Sequence, residues 1–177
     1  AQIGLAVGAA VVCIILAGGV DDLIVKPMVG RLRPCNDPAI PLQLNLIEGT
    51  IDKSFSFFSA HAANTFSLAV FLSLLVRDRL FSVTMVLWAL LNCWTRLYLG
   101  VHYPSDVLCG LLYGCIVGVI VYIAYYKLFY KFNTKFQYVS SQYTATGYAK
   151  VDIDVVVSTL VLTLAVMILW AFCSLSI

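Results

Sequence analysis

Apolar residues are concentrated in five long stretches of the chain, and short polar segments separate them. The stretches are Ile3 to Val25, Ala62 to Val76, Leu80 to Leu99, Val107 to Tyr126 and Val155 to Ile177. Most of them approach the roughly twenty residues with which an α-helix crosses a bilayer. They do not alternate polar and apolar residues in segments of about ten, as transmembrane β-strands do. The pattern therefore predicts an all-α, polytopic membrane bundle of about five transmembrane helices.

The second and last stretches need separate comment. The second is the shortest, and Phe57 to His61 at one end and Arg77 at the other can extend it to spanning length. The last stretch carries no charged residue, which fits either the edge of the bundle or a contact between copies of the chain. The sequence leaves the oligomeric state open.

The composition supports a membrane location. Hydrophobic residues make up 62% of the 177 residues, charged residues make up only 11%, and the mean hydropathy is +0.95. A soluble domain of this composition would expose large apolar patches to water. The net charge of +2 is too small to indicate a nucleic-acid partner. We expect a single integral membrane domain over residues 1–177 that is embedded in the lipid bilayer and binds no nucleic acid.

The Lys and Arg residues of the polar segments predict the orientation, because cytoplasmic segments carry more of them. If the first helix exits outward, six fall on the inner side, namely Arg77, Arg79, Lys127, Lys131, Lys135 and Lys150. Five fall on the outer side, namely Lys26, Arg31, Arg33, Lys53 and Arg96. Three of the outer five, namely Lys26, Arg33 and Arg96, are candidate site residues. Without them, six basic residues lie on the inner side and two lie on the outer side. The distribution predicts that the segment 26–61 and the turn "GVHYPSD" lie outside.

The first polar cluster is "KPMVGRLRP", which contains Lys26, Arg33 and Pro34. Lys26 is expected to close the first helix, because Pro27 prevents its simple continuation. The cluster fits either basic residues that reach toward the lipid head groups or cations that bind an anion.

The second polar cluster is "FFSAHAANTF". Ser59 occupies the position of a helix N-cap, and His61 falls in the first turn of the next helix. Free N–H groups at a helix N-terminus favour an anion, so the backbone and the Ser59 hydroxyl can hold a phosphate together. The alternative is a capping serine beside an interfacial histidine.

The third polar cluster is "TRLYLGVHYPSD". Arg96 lies at the outer end of the third helix, Gly100 allows a turn, and Pro104 suits the first position of the fourth helix. His102 then precedes that helix, and Asp106 lies in its first turn. An aspartate there can accept a hydrogen bond from one imidazole nitrogen and leave the other free to attack or bind. The alternative is an interfacial ion pair.

Taken together, the three clusters predict one anion site. Both histidines of the chain lie at outer helix ends beside cations. Lys26, Arg33 and Arg96 supply three cations for a tetrahedral dianion. Two histidines with one aspartate suit a nucleophile, its orienting group and a general acid. Because a zinc site needs ligands that are free of competing cations, we expect no metal and no other cofactor.

These residues resemble a known family. The patterns Lys-x6-Arg-Pro, Ser-x-His and Arg-x5-His-x3-Asp, in this order, are similar to the three-part signature of the type 2 phosphatidic acid phosphatase (PAP2) superfamily. The resemblance covers residues 20 to about 126. It places the signature on Lys26, Arg33, Pro34, Ser59, His61, Arg96, His102 and Asp106.

The resemblance implies a metal-independent lipid phosphatase of the bacterial cytoplasmic (inner) membrane, with its active site facing the periplasm or exterior. His102 would attack phosphorus to form a phosphohistidine, Asp106 would orient His102, and His61 would protonate the leaving oxygen. The substrate phosphate would be bound by Lys26, Arg33, Ser59 and Arg96. The candidate substrates are undecaprenyl diphosphate, lipid A phosphate, phosphatidylglycerol phosphate and phosphatidic acid.

Three positions depart from the family pattern. Phe58 and Ala60 stand where the second motif usually has proline and glycine, and Thr95 stands where the third usually begins with serine. These departures bear on the substrate more than on the activity, because every side chain with a chemical role is retained. Three other functions stay open, namely a lipid phosphotransferase, a non-catalytic membrane scaffold or transporter, and a vanadate haloperoxidase, which five apolar stretches disfavour.

Overall fold

The computed structural model describes residues 2–38, 54–132 and 141–175. Within these ranges the long elements are all helices, and the predicted all-α membrane bundle is confirmed. Helix α1 (Gln2–Ile14) continues through two π-helical turns, Ile15–Gly19 and Asp21–Val25, into the short α2 (Lys26–Val29). The remaining helices are α3 (Ala60–Val76), α4 (Arg79–Tyr98), α5 (Pro104–Phe132) and α6 (Lys150–Leu175). Lys53, Lys135 and the end of the last apolar stretch lie outside the described residues.

Four described segments are long and apolar enough to cross a membrane, namely Ile3–Asn36, Arg79–Tyr98, Pro104–Phe129 and Lys150–Trp170. Helix α3 is shorter, at 17 residues, because both of its ends are capped. Ser59 precedes α3 in an extended conformation, and its hydroxyl accepts the N–H of Ala62, as predicted for an N-cap. Arg77 ends the helix in the left-handed conformation (φ +56°). Phe57 and Phe58 therefore lie before the helix and do not extend it.

Lys26 does not close the first helix, so the prediction from Pro27 is wrong. The backbone N–H of Lys26 bonds to the carbonyl of Asp21, five residues earlier, in the π-helical pattern. Pro27 then lies in the first turn of α2, within continuous helical structure. The helix ends at Gly30 (φ +61°), whose N–H bonds to the Lys26 carbonyl at 3.0 Å. The π-helical turn thus carries the chain past a proline and keeps Lys26 within helical structure.

Helices α3 and α5 pack at close range along a row of glycines. Gly110, Gly114 and Gly118 recur every four residues on α5 and face backbone carbonyls of α3. A Cβ atom added at Gly110 would lie only 2.5 Å from the carbonyl oxygen of Ser59. Small residues at this spacing allow helix backbones to approach each other in membranes. The packing brings the two helix starts together, and the Ser59 N–H donates to the Asp106 carbonyl at 3.1 Å.

Helix α6 packs against the side of α4. Ile153 and Val157 of α6 join a buried cluster with Phe81 and Met85 of α4. Most of the remaining side chains of α6 are exposed on the described surface. Among the described residues the helix therefore lies at the edge of the bundle.

Candidate active site

The sequence-predicted site residues lie at one end of the bundle, at successive helix ends. Lys26 lies in α2, and Arg33 follows that helix. Ser59 and His61 lie at the start of α3, and Arg96 lies in the last turn of α4. His102 precedes α5, and Asp106 lies in the first turn of α5. Because α3, α4 and α5 follow one another with short connections, the start of α3, the end of α4 and the start of α5 meet on one side.

The turn between α4 and α5 positions His102 and Asp106. Gly100 adopts the left-handed conformation (φ +62°), and its N–H bonds to the carbonyl of Leu97 at 3.0 Å. Pro104 begins α5, as predicted. His102 is 4% exposed and Asp106 is fully buried. Because a buried carboxylate without partners is costly, the contacts of Asp106 decide whether this arrangement is stable.

Asp106 is held by donors other than His102. Its Oδ1 accepts a hydrogen bond from Nη1 of Arg31 at 2.7 Å. Its Oδ2 accepts from the Ser56 hydroxyl and, at 3.1 Å, from the Tyr103 backbone N–H. Nδ1 of His102 lies 3.8 Å from Oδ2, which is beyond hydrogen-bond distance, and has no hydrogen-bond partner among the described residues. The hydrogen bond predicted between the two side chains is therefore not formed, because other donors occupy Oδ2.

Arg33 is buried behind this turn. Its Nε and Nη2 donate to the carbonyl and hydroxyl oxygens of Ser54 at 3.1 and 2.7 Å. Its Nη1 donates to the carbonyl of Val101, next to His102, at 3.4 Å. Burial and then the positive charge of Arg33 lower the pKa of His102 from 6.5 to about 4. The imidazole is therefore neutral at neutral pH, the form in which it can act as a nucleophile.

Lys26 lies between two carboxylates that the sequence did not single out. Its Nζ lies 2.6 Å from Oδ1 of Asp22 and 3.2 Å from Oδ2 of Asp21. Asp21 is fully buried, and its Oδ1 accepts the backbone N–H of Phe58 at 3.1 Å. Two acidic residues at the end of an apolar stretch were a usable signal, because carboxylates in a membrane segment are rare and are usually paired.

His61 is an accessible member of the site. It is exposed in the first turn of α3. The charges of Arg96, Lys26 and Arg33 all act on it. The charges of Arg33 and Lys26 also act on His102. Both imidazoles therefore lie within the electrostatic influence of Lys26 and Arg33.

Three further residues complete the site, namely Arg31, Ser56 and Tyr103. Each contacts Asp106, and the Arg31 guanidinium also lies 3.8 Å above the centre of the Tyr103 ring. Each lies within three residues of a position that the sequence singled out. Proximity alone does not show which of several polar neighbours turns inward, so the sequence could not select them.

The fold and the site define a polytopic membrane protein with two histidines and several cations at one end of its helix bundle. The family model of the PAP2 superfamily matches residues 6–130, which include every predicted site residue. The chain belongs to the PAP2 superfamily.

Several relatives carry phosphatase names. The lipid A 4'-phosphatase of Bacteroides thetaiotaomicron is 48% identical over 89 residues, which cover 49% of this chain and 39% of the relative. The lipid A 4'-phosphatase of Porphyromonas gingivalis is 30% identical over 105 residues, which cover 59% and 44%. YbjG of Escherichia coli, provisionally named an undecaprenyl-diphosphatase, is 36% identical over 93 residues, which cover 51% and 45%. The chain spans less than half the length of these relatives. No solved structure matches it.

Proposed function

We propose that the chain hydrolyses a phosphate monoester or diphosphate of a membrane lipid through a phosphohistidine intermediate, without a metal. The observation that carries the proposal is the environment of His102, which is buried and neutral, adjoins Arg33 and faces Asp106. A neutral imidazole is a nucleophile, and a nearby guanidinium stabilises the charge of a phosphoryl group in transfer. Membership of the PAP2 superfamily supports the same chemistry.

In the proposed first step, Nε2 of His102 forms a bond to phosphorus while the bond between phosphorus and the lipid oxygen breaks. His61 donates its proton to the departing oxygen. Water then attacks the phosphohistidine, His61 accepts a proton from that water, and phosphate leaves with His102 neutral again. Asp106, whose Oδ2 lies 3.8 Å from Nδ1, stabilises the positive charge of the imidazole between the two steps.

Four side chains are proposed to bind the phosphate oxygens, namely Lys26, Arg33, Ser59 and Arg96. The charges of the three cations all act on His61, the proposed acid, which supports a shared position near it. The N-terminus of α3 adds a position that favours an anion. Together these groups suit the equatorial oxygens of a phosphoryl group in transfer.

An apolar groove supports a lipid substrate over a soluble one. It lies between the site-proximal halves of α4 and α5, has a volume of about 470 Å³, and is lined by Leu90, Leu91, Cys93, Trp94, Leu97, Pro104, Val107, Leu108 and Leu111. Its lining includes Leu97, which follows Arg96 in the chain, and Pro104, which begins α5 two residues after His102. We place a hydrocarbon chain of the substrate there. Leu108→Trp should then raise KM for lipid substrates and leave KM for an aryl phosphate unchanged; an equal effect on both would contradict the placement.

The names of the relatives favour two of the candidate substrates. Lipid A phosphate and undecaprenyl diphosphate are the substrates that these names indicate for the relatives. We propose them for this chain ahead of phosphatidylglycerol phosphate and phosphatidic acid.

Release of inorganic phosphate from these four lipids by the purified chain in detergent, with a chelator present, tests the proposed function. We expect release from at least one lipid, at an unchanged rate when the chelator is omitted. Transfer of phosphate to a second lipid without release would instead indicate a phosphotransferase. No reaction with any lipid would favour a scaffold or transporter, and halide oxidation in the presence of vanadate would favour a haloperoxidase.

We also propose that the site faces the periplasm or exterior of the bacterial cytoplasmic membrane. Arg77 and Arg79 lie at the opposite end of the bundle, which supports this orientation by the distribution of positive charge. In a variant without native cysteines, a cysteine at position 45, outside the described residues, should react with an impermeant thiol reagent in intact spheroplasts. A cysteine at Asp78 should not react, and the reverse pattern would overturn the orientation.

A further inference from the structure

We infer that Arg31 is a positioning residue that holds the Asp106 carboxylate in the orientation that the reaction needs. The inference rests on the proposed function and adds a residue that the three motifs do not include. Arg31 lies between Lys26 and Arg33 in the chain, yet its side chain contacts the first turn of α5. It therefore connects the first polar cluster to the third.

Three contacts hold the guanidinium of Arg31, whose side chain is 36% exposed. The Nη1 atom of Arg31 donates to Oδ1 of Asp106 at 2.7 Å and to the Ser105 hydroxyl at 3.0 Å. The Cζ atom of the guanidinium lies over the Tyr103 ring, 3.8 Å from its centre. The Tyr103 hydroxyl in turn donates to Oδ2 of Asp37 at 2.8 Å. These contacts restrict the position of the side chain, and lysine could not reproduce both the cation–π contact and the two hydrogen bonds.

The two oxygens of Asp106 have different partners as a result. Arg31 occupies Oδ1, whereas Ser56 and the Tyr103 backbone occupy Oδ2 and leave it facing Nδ1 of His102. Without Arg31, the fully buried carboxylate would lose its charged partner and its rotation would be less restricted. Oδ2 would then no longer be directed at the imidazole that becomes positively charged during phosphoryl transfer.

The backbone of Arg31 reinforces the same connection. Its carbonyl accepts the N–H of Ser56 at 2.8 Å, and the Ser56 hydroxyl is itself a donor to Asp106. Arg31 therefore supports the carboxylate directly through its guanidinium and indirectly through Ser56. This double contact distinguishes Arg31 from Arg33, whose guanidinium is bound to Ser54 and to the carbonyl of Val101.

A double-mutant cycle on the full chain in detergent tests the inference. Arg31→Gln should lower kcat by about tenfold or more while KM and the inhibition constant for phosphate change less than about threefold, because a positioning residue acts on the reacting group and not on binding. Arg31→Lys should recover part of kcat. The matched control Arg79→Gln makes the same change at an exposed arginine at the opposite end of the bundle, and its kcat should stay within about twofold of the wild type.

The combination with Asp106→Asn shows whether Arg31 acts through Asp106. If it does, Arg31→Gln should cause no further loss of kcat in the Asp106→Asn background. Three results would each overturn the inference. The first is a kcat of the double variant that is lowered by the product of the two single effects, and the second is an unchanged kcat of Arg31→Gln. The third is a weakening of phosphate inhibition in Arg31→Gln as large as in Arg96→Ala, which removes a proposed phosphate-binding cation.

Two further outcomes are decided in the same experiment. If Arg31→Gln does not fold, Arg31→Lys takes its place: its kcat should fall below that of the wild type while KM and the inhibition constant for phosphate change less than about threefold, and an unchanged kcat would overturn the inference. If the wild-type chain releases no phosphate from any lipid or aryl phosphate, the proposed function fails and the inference fails with it. An active wild type with an unaffected Arg31→Gln variant removes the inference alone.

Discussion

The Nζ atom of Lys26 lies 3.2 Å from Oδ2 of Asp21, a carboxylate that is fully buried in the preceding π-helical turn. The other oxygen of Asp21 accepts the backbone N–H of Phe58, which precedes the N-cap of α3. One carboxylate thus joins the first polar cluster to the start of α3. Its removal should therefore affect the folded structure as well as the site.

Substitution of Asp21 should strongly destabilise the protein. Asp21→Ala removes a buried ion pair and leaves the Phe58 N–H without its acceptor, so we expect the free energy of unfolding to fall by about 3 kcal/mol or more. Asp21→Asn keeps an oxygen for Phe58 and should cost less. Thermal unfolding in detergent measures both effects.

Asp22 provides the matched control, because it pairs with the same lysine. Its side chain is 60% exposed, whereas that of Asp21 is fully buried. Solvent screens the exposed carboxylate of Asp22, so Asp22→Asn should change the free energy of unfolding by less than about 1 kcal/mol. Equal destabilisation by the two substitutions would show that burial of Asp21 is not the cause.

The protonation of His102 should make stability depend on pH. Burial and the charge of Arg33 lower its pKa in the folded protein from 6.5 to about 4. The unfolded chain therefore binds the proton first as the pH falls, and stability should decrease between about pH 6.5 and about pH 4. Below about pH 4 both states carry the proton, so His102 should cause no further loss.

Comparison of the wild type with His102→Gln isolates this contribution, because His61 titrates in both proteins. The difference in unfolding temperature between the wild type and His102→Gln should change between about pH 4 and about pH 6.5 and stay constant above about pH 6.5. NMR titration of the imidazole provides a direct check, and His61→Gln leaves a single histidine for it. Arg33→Gln should raise the pKa of His102 toward 6.5, and a lower or unchanged pKa would contradict the assigned cause.

Local signals in the sequence were sufficient to predict the helices and the residues that gather at one end. Long apolar stretches mark the spans, Ser59 marks the start of α3, and Pro104 marks the start of α5. Each of these signals depends on residues that are close together in the chain. Consecutive antiparallel helices then bring alternate ends together, so the placement of the motifs follows from the helix order.

The contacts among the motifs could not be predicted in the same way. Asp106 was expected to bond to His102, but Ser56, which is 50 residues earlier, occupies the same oxygen. The pairing of Arg31 with Asp106 spans 75 residues. Such contacts depend on how separate segments fold against each other, and several arrangements satisfy the same local pattern. The π-helical turn before Pro27 likewise has no local signal that distinguishes it from a helix end.

The close approach of α3 and α5 predicts an unusually large effect of a small substitution. A Cβ atom at Gly110 would lie 2.5 Å from the Ser59 carbonyl oxygen, so one of the two helices has to move. Gly110→Ala should therefore destabilise the protein by about 1–3 kcal/mol, the cost typical of overpacking. It should also lower kcat, because the shift separates Ser59 from Asp106.

Gly8→Ala serves as the control for Gly110→Ala. A Cβ atom at Gly8 would have no atom within 4 Å, so the substitution adds a methyl group without a clash. We expect the unfolding temperature and the proposed phosphatase activity of Gly8→Ala to match those of the wild type or, for the temperature, to exceed it slightly. If the two alanine variants behave alike, the α3–α5 contact is looser than the structure shows.

The different environments of the two histidines predict different responses to the leaving group. His102 is buried beside Asp106 and is the proposed nucleophile, whereas His61 is exposed at the start of α3 and is the proposed acid. His102→Ala should therefore abolish turnover and phosphoenzyme formation with every substrate. His61→Ala should lose most activity on a lipid phosphate, whose alkoxide needs a proton, but keep some activity on an aryl phosphate, whose leaving group does not. Rates for both variants on both substrates, with trapping of the phosphoenzyme after acid quench, measure this difference. If the two variants lose activity equally on the aryl phosphate, or if His102→Ala still forms a phosphoenzyme, the roles assigned to the two histidines are wrong.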